Sequence, residues 1–378
     1  FIANCGSPIS PSESGFRLDG WDWNRPPGTT TVHLPWDELR AALCVVDAAC
    51  GREEMLFSDE SLAGGAHFQY RQGVFGLNVH GHAKYCADFR ALKSVFFFDN
   101  RLICLGTGIQ HSDAAYPVET TLFQAALPDR DTPLVVDGMP ITGFPWSRIL
   151  DGTRPAWLLN HLRQGYYVHA GAPVHLRRER QTSPAPTGRE MTAGDFVSAW
   201  MDHGCAPEDA SYAYCVVVDT DAEQMAEWSA AMGDPERAHY RILQHDRQAH
   251  AVYDRATGVT ASVIFAPGGF SLGPVTAVSK PCLLLFHMDE DGLELSVCNP
   301  NLNFQGDEPP RTDEFTPYSL PWLSNPSRPD PVEVSLGGRF ELVEADQELS
   351  VSDCGGAETT LRCECRHGLT YSARLRSG

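Results

Sequence analysis

The chain has 378 residues, 42% hydrophobic and 21% charged, enough apolar material for one large domain or two or three smaller ones. Its net charge of −20, from 49 acidic against 29 basic residues, argues against non-specific nucleic-acid binding, although arginines gathered in a cleft can still grip an anion. No apolar run approaches the roughly 18 to 20 residues of a membrane-spanning helix, and the first residues carry no basic-then-apolar targeting pattern.

Along the chain the pattern is mostly strand. Thr29 to Leu34 reads as the first strand, and Asp37 to Ala49 carries apolar residues at helical spacing. Gly73 to Val79 alternates about an apolar face. Ser94 to Phe98 and Leu102 to Leu105 read as a hairpin bent at Asp99-Asn100-Arg101. Tyr212 to Val218 is followed by a helix over Ala222 to Met232, with Thr220-Asp221 supplying an N-cap. Further strands are expected at Ala251 to Tyr253, Ser262 to Phe265, Leu283 to His287 and Leu293 to Val297. Val332 to Val334, Phe340 to Val343, Leu361 to Cys365 and Thr370 to Leu375 close the chain.

So many strands with so few helices predict an all-β architecture of stacked sheets. Pro267-Gly268-Gly269 marks a boundary, and a proline-rich stretch runs from Asn299 to Pro331. The reading is a large multi-stranded sandwich over 36–276, preceded by a linker over 1–35 and followed by a smaller β-sandwich domain over 277–378.

Generic catalytic motifs are missing: there is no GxSxG, Walker loop, HExxH or GxGxxG. The 12 cysteines include no CxxC pair; Cys363 and Cys365 face the same way in a strand, and a disulfide from Cys354 to either stays open. Asp202 and His203 are adjacent, so a strand points them to opposite faces and His203 reads as structural. His80 and His82 share a strand face but are too few to claim a metal. Glu341, Glu344 and Asp346 read as a solvated acidic surface. No metal or other cofactor is expected from these patterns, and a calcium requirement is not readable from acidic residues alone.

The segment Trp21-Asp22-Trp23-Asn24-Arg25-Pro26-Pro27-Gly28 is more distinctive. Two indoles at i and i+2 can form a platform for sugar rings, or equally anchor the edge of a core. Asn24 can donate to a carboxylate, and Arg25 can clamp carboxylate or sulfate.

Trp21 to Pro35 resembles the linker into the central β domain of family 8 polysaccharide lyases, the hyaluronan and chondroitin lyases. The likeness continues through Leu62-Ala63-Gly64-Gly65 and Gln72-Gly73-Val74-Phe75. It is strongest over Lys93 to Ile109 and Val118 to Gln124. Ser198 to His203 and Pro207 to Tyr214 look most like the chondroitin sulfate ABC lyases, and Lys280-Pro281 followed by Leu283 to Leu285 resembles the start of the family's small C-terminal β domain. The resemblance implies β-elimination on a uronate-containing polysaccharide, with His, Tyr and Arg supplied by an N-terminal α-helical toroid that this chain lacks.

The resemblance also implies a glutamate contributed by the β portion. Ungapped placement of Leu62 to Val79 puts Gln69 at that position, with Glu60 available in a shifted register. Gln69 can orient a partner but cannot act as acid or base. Trp23, Asn24, Arg25, His67 and Arg71 are the expected substrate contacts. The implied partners are an acidic polysaccharide and the toroid of the same parent chain, with no nucleic acid and no membrane. The implied location is secreted or periplasmic. The alternative is a non-catalytic carbohydrate-binding sandwich that retains the lyase fold.

Overall fold

The computed structural model describes residues 14–39, 60–81, 86–185, 190–305, 325–353 and 358–378. Its strands form four sheets in which every paired neighbour is antiparallel. The first sheet has five strands, ordered Thr30–Val32, Pro117–Ala126, Met191–Cys205, Val174–Pro184 and Trp146–Leu150. The second has nine, running from the hairpin Ala63–Phe68 and Gln72–His80, through Arg90–Phe98 and Arg101–Gln110, to Met139–Ile141. The third has seven, including Val259–Ile264, Cys282–Met288, Leu293–Cys298 and Tyr371–Ser377. The fourth has five, beginning with Gly268–Leu272.

Three apolar cores separate these four layers. Ile109, Phe123, Leu176 and Tyr214 belong to the core between the first and second sheets. Phe96, Ile103, Leu105, Val263 and Leu285 belong to that between the second and third. Leu284, Phe286, Val334 and Leu361 belong to that between the third and fourth. The inner sheets are therefore buried on both faces. That explains why Cys282 to Phe286 is a continuous apolar run rather than an alternating one: Leu283 and Leu285 point to one core, Leu284 and Phe286 to the other.

Close approach of the middle sheets places a demand on one glycine. A Cβ on Gly76 would stand 2.6 Å from Val263 Cγ1 and 3.1 Å from Leu283 Cδ2. Gly76→Ala is expected to cost about 1–2 kcal/mol of stability by forcing these layers apart. Urea unfolding checks this, and an unchanged midpoint would show that the layers are not packed this tightly.

Local signals hold where they are strongest. The predicted hairpin closes with Phe98 paired to Arg101 across Asp99-Asn100, Asp99 lying at φ +50°. The predicted helix spans Ala222–Met232; Asp221 accepts from Gln224 N and Gln224 accepts from Asp221 N, a complete capping box. Of the helix expected over Asp37 to Ala49, Trp36–Leu39 is helical and the remainder lies outside the described residues, as do His82 and Cys354.

Candidate functional site

The predicted site residues fall in two separate concavities. The first lies on the outer face of the first sheet, where the chain from Phe16 to Trp36 crosses it. The crossing depends on Gly20 (φ +82°), because a Cβ there would meet Gly194 N at 2.4 Å. Trp21 is 2% exposed and packs edge-on against Phe16 and Phe196 at ring separations of 4.8 and 6.1 Å. Trp23 is half-buried, 5.9 Å from Trp36. The two indoles of the motif therefore do not share a face: one anchors a core and the other lines a groove.

Asn24 and Arg25 are committed to the protein itself. Asn24 Nδ2 donates to Leu34 O and Oδ1 accepts from Leu34 N, both at 2.9 Å, closing the loop as a strand neighbour would. Arg25 donates through Nε and Nη2 to the two oxygens of Glu119 and through Nη1 to Asp22, each at 2.9 Å. Its guanidinium lies 3.7 Å from the centroid of the buried Trp200 ring. Both side chains are held by these contacts and fix the groove floor.

His33 completes a buried quartet. Its Nδ1 is 3.0 Å from Glu119 and its Nε2 is 3.3 Å from Asp22. Arg25 Nη2 stands 3.1 Å from the same Nδ1, a like-charge contact that the two carboxylates outweigh. Burial works against the imidazolium, yet hydrogen bonds to Asp22 and Glu119 and their charges raise its pKa to about 9. Burial likewise opposes ionisation of both carboxyls, but His33 and Arg25 hold each below the usual carboxylate range. Two carboxylates, one guanidinium and one imidazolium leave the quartet neutral.

Above this floor is a groove of about 440 Å³ lined by Trp23, Trp36, Arg177, Glu179, Arg180 and Gln181, among others. His175, Arg177 and Glu179 alternate along Val174–Pro184 with the buried Val174, Leu176 and Arg178. That period-2 signal was present in the sequence and marks the groove wall.

The second concavity surrounds the tip of the hairpin Ala63–Phe68 and Gln72–His80. Gln69 (φ +50°) and Tyr70 (φ +56°) both sit in the left-handed region. Tyr70 is 87% exposed and stacks on His67 at 4.1 Å. Gln69 Nε2 donates to Glu294 on the third sheet. Gln69 and Arg71 border a cavity of about 800 Å³ on one side of this contact, and Gln69 and His67 one of about 440 Å³ on the other. Glu60, the shifted-register candidate, lies elsewhere, accepting from Asn78 Nδ2 at 3.0 Å.

Charge separates the two places. The hairpin cavities expose Asp99, Asp289, Asp291 and Glu294 against Arg71 and Arg374, then Glu294, Glu344 and Asp346 against Arg374. The groove sets Arg177 and Glu179 above the neutral quartet. A polyanion needs an added cation at the hairpin. His203 serves neither site. It is bonded through Nε2 to Thr120 at 2.8 Å, and burial lowers its pKa to about 4; Asp202 faces His175 at 3.5 Å. Among the described residues no group of three or more His, Cys, Asp and Glu is arranged to hold a metal, and no helix is long and apolar enough to cross a membrane.

Two family models match in tandem. The super-sandwich domain of polysaccharide lyase family 8 covers residues 19–229, and that family's C-terminal β-sandwich domain covers residues 241–305. A chondroitin sulfate ABC exolyase of Bacteroides thetaiotaomicron is 34% identical over 98% of this chain and 36% of its own length. A chondroitin sulfate ABC endolyase of Proteus vulgaris is 33% identical over 99% of this chain and 34% of its own. The chain thus spans about a third of the length of the curated relatives it matches. A Paenibacillus xanthan lyase shares the fold at TM-score 0.72 and 21% identity, covering 94% of this chain and 31% of that one.

Proposed function

The chain belongs to polysaccharide lyase family 8, and from that premise we propose that it forms the β-sandwich portion of a lyase cleaving uronate-containing glycosaminoglycans by β-elimination. Chondroitin and dermatan sulfates are the proposed substrates, with hyaluronan a further one. The observation carrying this is identity of 33–34% to chondroitin sulfate ABC lyases along almost the whole chain, with both β domains in family order.

The reaction removes the C5 proton of the uronate and expels the glycosidic oxygen from C4, leaving a C4–C5 double bond. It requires neutralisation of the carboxylate, a base, and a proton donor to the leaving oxygen. His33 is held as a cation and His203 is neutral, buried and hydrogen-bonded to Thr120, so neither offers an accessible base. In this reading an upstream toroid brings His, Tyr and Arg, and the chain supplies the facing wall. Gln69, at the left-handed hairpin tip beside His67 and Arg71, orients the substrate there without exchanging a proton. The toroid's cations offset the acidic lining at that end. Such an enzyme works where its polymer is found, outside the cell or in the periplasm.

A second reading, a carbohydrate-binding sandwich without catalysis, is favoured by one observation: Gln69 carries no charge, and its amide is donated to Glu294. Ultraviolet absorbance of unsaturated uronate separates the two. Chondroitin sulfate treated with the longer protein, toroid included, is expected to give this chromophore. A folded longer protein that gives none would overturn the lyase reading in favour of the binding one.

A further inference from the structure

We propose that Glu294, on the third sheet, is a positioning residue for the hairpin tip: it fixes the Gln69 amide so that the carbonyl oxygen Oε1 is the group offered to the sugar. A neutral acceptor of this kind takes a sugar hydroxyl or acetamide N–H and disfavours a sulfate. The proposal deepens the lyase reading and rests on it. What it adds is a part for the C-terminal β-sandwich domain, whose model match contains Glu294, in a site carried by the super-sandwich domain.

The turn itself needs support. Arg71 N donates to Phe68 O at 3.0 Å, closing a bend whose two central residues, Gln69 and Tyr70, both lie at positive φ. Asn and Gly ordinarily fill such a pair, because other side chains are strained there. Keeping two large side chains in these places costs free energy, and both make a contact in return. Tyr70 stacks on His67 at 4.1 Å, and Gln69 Nε2 donates to Glu294. Strand alternation puts Glu294 on the face this contact requires. Leu293 and Leu295 belong to the core between the third and fourth sheets, so Glu294 lies on the opposite face, the one turned toward the second sheet and its hairpin.

The chemistry of a carboxylate then decides which end of the amide it holds. An ionised carboxylate only accepts, so it binds Nε2 and leaves Oε1 over. Among the described residues the Gln69 side chain makes no other hydrogen bond, and it is exposed, so Oε1 is open to a ligand. Gln69, Glu294 and Arg374 border both hairpin cavities, which places the bond on the ridge between them. Arg374 is the register neighbour of Glu294 on one side and Glu344 on the other, so it gives the ridge no positive excess. A sulfate here meets an acceptor and a carboxylate, whereas a hydroxyl or N–H donates to the acceptor.

The test has two arms. The first needs no catalysis: hydrogen exchange followed by mass spectrometry on the 378-residue chain, for wild type, Gln69→Ala, Glu294→Ala and the double variant. Each single variant is expected to speed exchange of the amides from Gln69 to Gly73 about fivefold, and the double variant no further. The helix Ala222–Met232 is expected to exchange as in wild type, which establishes that each variant is folded. Effects that multiply in the double variant, or no effect in either single one, would overturn the proposal. The second arm measures kcat/KM of the longer protein, toroid included, on unsulfated chondroitin and on a chondroitin sulfate. In Glu294→Gln the new amide both accepts and donates, so the Gln69 amide is free to turn and can present Nε2 to a sulfate. The ratio of sulfated to unsulfated substrate is expected to rise about threefold. A merely structural Glu294 lowers both substrates together, and an unchanged ratio would overturn the proposal. The lyase reading fails separately, through a longer protein that yields no unsaturated product; the same ratio is then taken from the dissociation constants of the two polymers, with the same outcomes deciding.

Discussion

Glu119→Ala is expected to destabilise the protein by about 3–5 kcal/mol, the largest effect predicted for any single substitution considered for this chain. The carboxylate is almost wholly buried, its side chain 7% exposed, and it accepts two hydrogen bonds from Arg25 and faces His33. Removing it leaves a guanidinium and an imidazolium together in a largely buried site with only Asp22 to balance them. The cost is that of stranding charge, not the modest net worth of an ion pair. Arg130→Ala is the contrast. Its partner Asp195 is also near the surface, the arginine side chain being 55% exposed, and the expected loss is below about 1 kcal/mol. Urea unfolding of both variants checks the comparison; similar midpoints would mean that removing Glu119 strands no charge.

The same quartet predicts a pH dependence. His33 titrates at about 9 when folded, against about 6.5 when unfolded. The folded state therefore holds this proton more tightly, and the stabilisation is complete below about pH 6.5 and lost as pH rises through about 9. The full contribution is about 2–3 kcal/mol, allowing for the quarter of the side chain that solvent reaches. Lys93 acts in the opposite direction. Burial lowers its pKa to about 8, so its contribution rises with pH across part of the same window. Comparing wild type with His33→Gln cancels Lys93 and the buried thiols. The stability gap between the two is expected to be widest near pH 6 and to close toward pH 10. A gap that stays constant across that range would show that His33 is uncharged in the fold.

The all-β class was legible because each strand carries its own evidence: the alternation of Gly73 to Val79, the Asp99-Asn100 bend, and the apolar run Cys282 to Phe286. The family resemblance rested on segments such as Lys93 to Ile109, and the super-sandwich model covers that stretch. The site was less legible. The inference that Trp21 and Trp23 share a face assumed strand geometry, whereas the segment turns there, sending Trp21 inward and Trp23 to the groove. Arg25 and Glu119 are 94 residues apart, and no local pattern connects them. Arg178 makes the same point. It is fully buried, donating to the carbonyls of Arg130, Thr132, Thr142 and Gly143, in a strand where its charge suggests a solvated face. Burial of charge is settled by partners distant in sequence, and composition does not reveal them.

The proposed division of labour between this chain and an upstream toroid is tested most directly by complementation. The two parts are produced separately, mixed, and given chondroitin sulfate while the absorbance of unsaturated uronate is followed. The account predicts no product from either part alone, and product from the mixture or from the two parts joined in one chain. Sustained release of unsaturated product by the 378-residue chain alone would contradict it and place the base, the acid and the carboxylate partner among its own residues.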